Sequence, residues 1–224
     1  MRKIPVVFFI TIVIIGLFSS CAGPEPTEGS ESTSVIGTRG PAGGYIVYDK
    51  GEYSDGWRYI EAAPADLNYK KSDFDSESAP GIYDSGSFSN FAFGTNVYYS
   101  SEIEVYTNDT EIGTGLSNTQ LLVNGYGNKD RWNNDRYAAK YCYDLVYNGF
   151  DDWFLPSKDE LDLLRELIPD VIGLKYDNTY LSSSSVADSN RVWALKLSPT
   201  YPQVSFVDVG RTSSDYKVRP MRRY

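Results

Sequence analysis

Two thiols, no imidazole and an excess of carboxylates set the chemistry open to this chain of 224 residues. Without histidine, Ser/His/Asp and Cys/His nucleophile systems, histidine-liganded zinc and imidazole acid/base steps are excluded together. What remains is acyl chemistry at a thiol, acid/base work by paired Asp and Glu, and recognition of anions by Lys and Arg. Of the two cysteines, Cys142 falls on the apolar face of an expected helix, where a thiol is ordinarily buried and inert. Cys21 stands differently, directly after the small residues Ser19 and Ser20.

The residues ahead of Cys21 give that position its meaning. Arg2 and Lys3 precede an apolar stretch from Ile4 to Phe18, and the small pair Ser19–Ser20 closes it, which is the three-part layout of a secretory signal. The stretch is fifteen residues, shorter than the ~20 that a bilayer-crossing helix needs, so a permanent transmembrane anchor is the poorer reading. The tetrad Phe18-Ser19-Ser20-Cys21 resembles a bacterial lipobox, with Phe18 in place of the usual Leu. The resemblance implies acylation of the Cys21 thiol and cleavage before it. An ordinary cleaved signal that happens to be followed by Cys is the plainer alternative.

Charge limits the partners. Loss of residues 1–20 removes two cations and no acid, moving the formal charge from -9 to -11. Such a surface repels nucleic acid. With Cys21 lipidated no internal disulfide can form, so an apolar core must hold the fold, and about 190 residues suffice for one.

Among cations, Lys217, Arg219, Arg222 and Arg223 cluster near the end of the sequence, with Arg191 and Arg211 not far upstream. This is the best anion-facing group, and Arg191, Arg211, Lys217 and Arg219 with Tyr201 are the candidate ligand-binding residues. The plainer alternative is pairing with neighbouring Asp and Glu. Nineteen tyrosines amid Ser-, Asn- and Gly-rich loops also fit an adaptable recognition surface, to which Tyr98, Tyr99 and Tyr106 could contribute. Trp132-Asn133-Asn134-Asp135 has the residue types of a calcium-dependent sugar site, but it precedes a helix, where Asn and Asp serve as caps. Calcium wants about six to eight oxygens, which the sequence does not assemble, and no metal or cofactor is expected.

The elements that must position these residues are short. Residues 21–35 are Gly, Pro, Glu, Ser and Thr with almost nothing apolar, the composition of a disordered tether, and a single domain is expected over 36–224. Strands are expected at Tyr45–Asp49 and Trp57–Ala62, joined as a hairpin, then at 180–184, 192–197, 204–209 and 217–222. Residues 64–112 read as a long loop region with one or two strands. Three helices lie between. One begins at a Ser117/Gln120 capping box and runs over 118–124; one spans about 133–147 and ends at Gly149; one begins at a Ser157/Glu160 capping box and closes at Pro169. Trp153, Leu155 and Leu161 are assigned to the core, and Asp151 and Asp152 to turn or capping work rather than ligand binding. Strands around a block of helices argue for an α+β fold.

The segments Gly113–Gln120, Gly149-Phe-Asp-Asp-Trp-Phe-Leu-Pro-Ser-Lys-Asp-Glu-Leu161 and Val218-Arg-Pro-Met-Arg-Arg-Tyr224 together resemble the Lcl C-terminal domain family. Gly37–Asp49 and Gly56–Pro64 look like the upstream part of that domain in spirochaete-type lipoproteins, so the likeness covers about 36–224. The family is named for a collagen-like bacterial adhesin whose terminal domain binds sulfated glycosaminoglycans. The resemblance implies a C-type-lectin-like fold in which first and last strands pair, two main helices flank the sheet, and irregular loops present ligand. The expectation is an exported lipoprotein, held to a bacterial membrane through lipid at the periplasmic face or the cell surface. It would display a non-catalytic, adhesin-like domain for a glycan or protein. An acid/base hydrolase using two carboxylates, for which no pair can be nominated, and a structural envelope protein are the alternatives.

Overall fold

The hairpin foreseen at the start of the domain is present, and the end of the chain completes its sheet. The structure, a computed structural model, describes residues 34–69, 80–82, 91, 93, 105–127, 137–167, 173–187, 189, 191–198, 200, 204–211 and 216–224. Strand β1 (Tyr45–Ser54) pairs antiparallel with β2 (Trp57–Ala62), and β2 pairs on its other side with the last strand, whose range is Met221–Arg223. The contact of first and last segments is therefore made at the second strand of the hairpin. Phe154 extends this sheet past the last strand, exchanging both backbone bonds with Met221 at 2.8 and 3.0 Å.

The short strands β3 (Leu67–Tyr69) and β4 (Pro80–Ile82) pair antiparallel within the loop region. Three helices follow: α1 (Gly115–Tyr126), α2 (Ala138–Tyr143) and α3 (Lys158–Asp162), the last continuing as a 3-10 turn over Leu163–Leu167. A second antiparallel sheet contains β5 (Thr179–Ser185), β6 (Arg191–Leu197) and β7 (Val204–Gly210), with β6 central. The last strand is β8. Separate antiparallel sheets with a few short helices make an α+β unit over Val35–Tyr224.

Each face of the second sheet meets an apolar cluster, with β5 almost wholly buried and β7 only partly so. Leu181, Val192 and Ala194 join one apolar cluster with Leu122, Tyr137, Cys142, Trp153 and Leu155. Tyr180, Leu195 and Leu197, one step out of phase, join another with Val47, Ile60, Phe154, Leu161, Leu164 and Met221. Side chains of a strand alternate between faces, so a single strand serves both cores.

Three expectations require correction. Helix α1 begins at Gly115 with Thr114 as its N-cap, and Ser117 is no cap: its hydroxyl donates to the Thr114 carbonyl at 2.8 Å. Back-bonding of this kind is the competing use of a Ser side chain near a helix start. Helix α2 ends at Tyr143 instead of running to 147, because Tyr147 and Phe150 form an antiparallel bridge around Asn148 and Gly149. Those two residues have φ of 53° and 82°, a left-handed turn in which Gly149 closes a hairpin rather than a helix. The expected strand over 217–222 shrinks to β8, since Pro220 has no N–H to give a ladder. The Ser157/Glu160 capping box is present as read.

Candidate functional site

Glu61 organises the first sheet from inside. It sits in β2 between Ile60 and Ala62, and its side chain is fully buried. The loop before β1 folds around its carboxylate: the Gly44 N–H donates to Oε1 at 2.6 Å and the Ala42 N–H to Oε2 at 3.3 Å. The approach is so close that a Cβ at Gly40 would lie 2.4 Å from Glu61 Cδ, and one at Gly44 would lie 2.1 Å from the Ala62 carbonyl oxygen. The glycines of this loop answer to Glu61 and to its strand.

Arg222 of β8 supplies the opposite charge. Its Nη1 donates to Glu61 Oε2 at 3.3 Å, and its Nε and Nη2 grip the two oxygens of Asp152 at 2.7 and 2.8 Å. The guanidinium also lies 4.0 Å over the Phe150 ring and 5.1 Å from that of Tyr224. A two-point arginine–carboxylate fork is directional as well as strong, so it fixes the 149–155 turn against β8. Asp152 thus does structural work through an ion pair rather than a cap. Burial, with the Glu61 charge second, pushes the Tyr224 phenol up to about 12.

A second set joins β3 to the residues before β8. Arg219, 0 % exposed, donates from Nε and Nη2 to Asp66 Oδ1 at 3.0 and 2.7 Å and from Nη1 to the Ala63 carbonyl at 3.0 Å. Asp66 Oδ2 accepts from the Tyr180 hydroxyl at 3.2 Å. Burial first, then the Asp66 charge, holds that phenol far above the ordinary tyrosine range.

The third set ties α1 to α3. Glu160 accepts from the Ser157 N–H at 2.7 Å and from the Gly113 N–H at 2.9 Å, while Arg223 Nη1 donates to the Gly113 carbonyl at 3.0 Å. Burial raises the Glu160 carboxyl above its usual value, against the pull of the N–H donors from Ser157, Gly113 and Gly115.

The candidate ligand residues therefore disperse. Arg191 is exposed and paired with Asp208 across β6 and β7, Nε to Oδ2 at 2.5 Å. Arg219 is internal, as described, and Arg211 is internal at 2 % exposure. Lys217 is half-buried and follows Tyr216 into a parallel bridge with Tyr180, and burial draws its ammonium below the usual lysine range. Arg211, Arg219 and Arg222 form no surface patch, because each is turned inward to hydrogen-bond acceptors. Tyr201, Tyr98, Tyr99, the 132–135 run and Cys21 lie outside the described residues. Cys142 is fully buried, and burial pushes its thiol well above the ordinary cysteine range. Among the described residues no group of three metal-ligating side chains occurs, and no helix is long and apolar enough to cross a membrane.

The sequence reading missed Glu61, Asp66 and the run Ser182–Ser185. All four serines are buried, and their hydroxyls meet Trp193, Asn118, Asp109 and Arg211. A Glu flanked by apolar residues within a strand is a signal that could have found the first. The chain matches no protein-family model, no curated protein and no solved structure.

Proposed function

We propose that this chain is a lipid-anchored envelope protein of a bacterium that displays a non-catalytic, C-type-lectin-like recognition domain. One observation carries the reading. The five segments on which the Lcl resemblance rests meet one another through charged side chains: the 37–49 loop on Glu61 of the 56–64 segment, Asp152 of the 149–161 segment on Arg222, and Gly113 between Glu160 and Arg223. Motifs that interlock in this way describe a scaffold. The hairpin β1–β2 sharing one sheet with β8, beside a separate sheet of late strands, supports the same view.

In such a scaffold the motif residues set shape, and recognition falls to the loops and tyrosines between them. The signal-like residues 1–20 and the cysteine that follows them support export and lipid anchoring of the domain. The partner is a glycan or a protein. The test is to probe glycan and protein arrays with the full chain purified in mild detergent. Selective binding is the expected result. Silence on both arrays, together with turnover of a model glycoside or ester substrate, would reject the reading in favour of the hydrolase.

A further inference from the structure

Among the described residues three arginines are buried, and two are met by carboxylates: Arg219 by Asp66, and Arg222 by Asp152 and Glu61. Arg211, at the end of β7, is the exception. Among the described residues its hydrogen bonds go only to neutral acceptors, from Nη1 to the Val105 carbonyl at 3.0 Å and the Tyr126 hydroxyl at 3.1 Å, and from Nη2 to Ser185 Oγ at 2.7 Å. Its Nε–H is buried with no acceptor. The rings of Phe93 and Tyr106 lie against the guanidinium, with centroids at 5.2 and 5.1 Å.

A guanidinium keeps its proton at every physiological pH, so this charge cannot be relieved by titration. Neutral acceptors and aromatic faces offset only part of what burial of a charge costs. Among the described residues no carboxylate bonded to Arg211 supplies the rest. Tyr106, whose ring lies against the guanidinium, is 38 % exposed. A planar group with two oxygens fits an edge that offers Nε–H beside Nη2. The same kind of group neutralises the other two interior arginines of this protein.

We propose that Arg211 anchors a binding site for a carboxylate-bearing ligand, a small acid or the carboxyl group of a larger chain, which enters beneath Tyr106. The site rests on the recognition reading and names the chemical class of what is recognised. To test it, the full chain in mild detergent is titrated with acetate and N-acetylglycine, and with sulfate and chloride at equal ionic strength, following the Arg211 Nε–H resonance by NMR and the heat of binding. A saturable shift with the two carboxylates is expected. Arg211→Lys, which keeps the charge but lacks the fork, should weaken binding at least tenfold, and Arg165→Lys, in a surface pair with Asp162, should leave it unchanged. Should Arg211→Lys fail to fold, Tyr106→Ala, which alters an exposed ring, should still change carboxylate affinity severalfold. No saturable shift, an equal response to chloride, tighter binding of sulfate, or indifference to both variants would overturn the site. A chain that binds on the arrays yet ignores carboxylates loses this site alone and keeps the recognition reading.

Discussion

Removing Arg222 strands Glu61. A carboxylate with no exposed surface would then keep only the N–H groups of Ala42 and Gly44. Breaking one side of a buried pair costs about 3–5 kcal/mol, whereas replacing both sides with apolar groups of similar size costs far less. Arg222→Met should therefore lower the urea midpoint sharply, and adding Glu61→Leu should recover part of the loss. Losses that simply add would remove Glu61 as the partner. The phenols give a pH signature. Tyr224 is raised to about 12 and Tyr180 is raised further, while unfolded tyrosine titrates near 10. A group whose folded pKa is raised stabilises the fold below its unfolded pKa and loses that contribution as pH climbs through the folded value. Stability should thus fall from pH 10 upward, and Tyr224→Phe should shallow the decline between 10 and 12, read from melting temperature. At the buried thiol, Cys142 should resist iodoacetamide in the native state and react on unfolding.

At the scale of elements, the loop before β1 has the tightest tolerance. Gly44→Ala would set a methyl group 2.1 Å from the Ala62 backbone, and backbone cannot swing aside as a flexible side chain can. It should destabilise by several-fold more than Ser157→Ala, which removes one cap at about 1 kcal/mol; equal losses in chemical denaturation would contradict the close approach. Legibility followed locality. The boundaries of β2, β5, β6 and β7 and the cap at Ser157 were readable, because alternation and a three-residue capping signal act over a few neighbours. Helix α2 was overread, because Ala138, Cys142 and Leu145 keep helical spacing while the bridge from Tyr147 to Phe150 ends the helix. The ion pairs were illegible as pairs: Asp66 to Arg219 and Asp152 to Arg222 join distant segments, and no local pattern announces them. The arginine cluster near the chain's end was legible as a cluster but not in its direction, since burial by β2 and β3 turns Arg219 and Arg222 inward.

Over the whole molecule, net charge limits the forces that the proposed recognition can use. A net charge of -9, rising in magnitude to -11 without residues 1–20, belongs to a chain in which two interior arginines, Arg219 and Arg222, are paired with carboxylates. Such a domain gains little from long-range attraction to polyanions, so selectivity must come from short-range contacts in its loops. Raising salt from low to physiological strength should accordingly change ligand affinity by less than threefold, as measured by equilibrium binding. The account stands or falls on where the domain is held. Intact-mass and peptide mass spectrometry of protein taken from the producing cells decides it most directly. Residues 1–20 should be missing, the new first residue should be Cys21 carrying two or three acyl chains, and Cys21→Ala should release the protein from the membrane fraction. An unmodified Met1 on protein recovered from the cytosol would contradict the account.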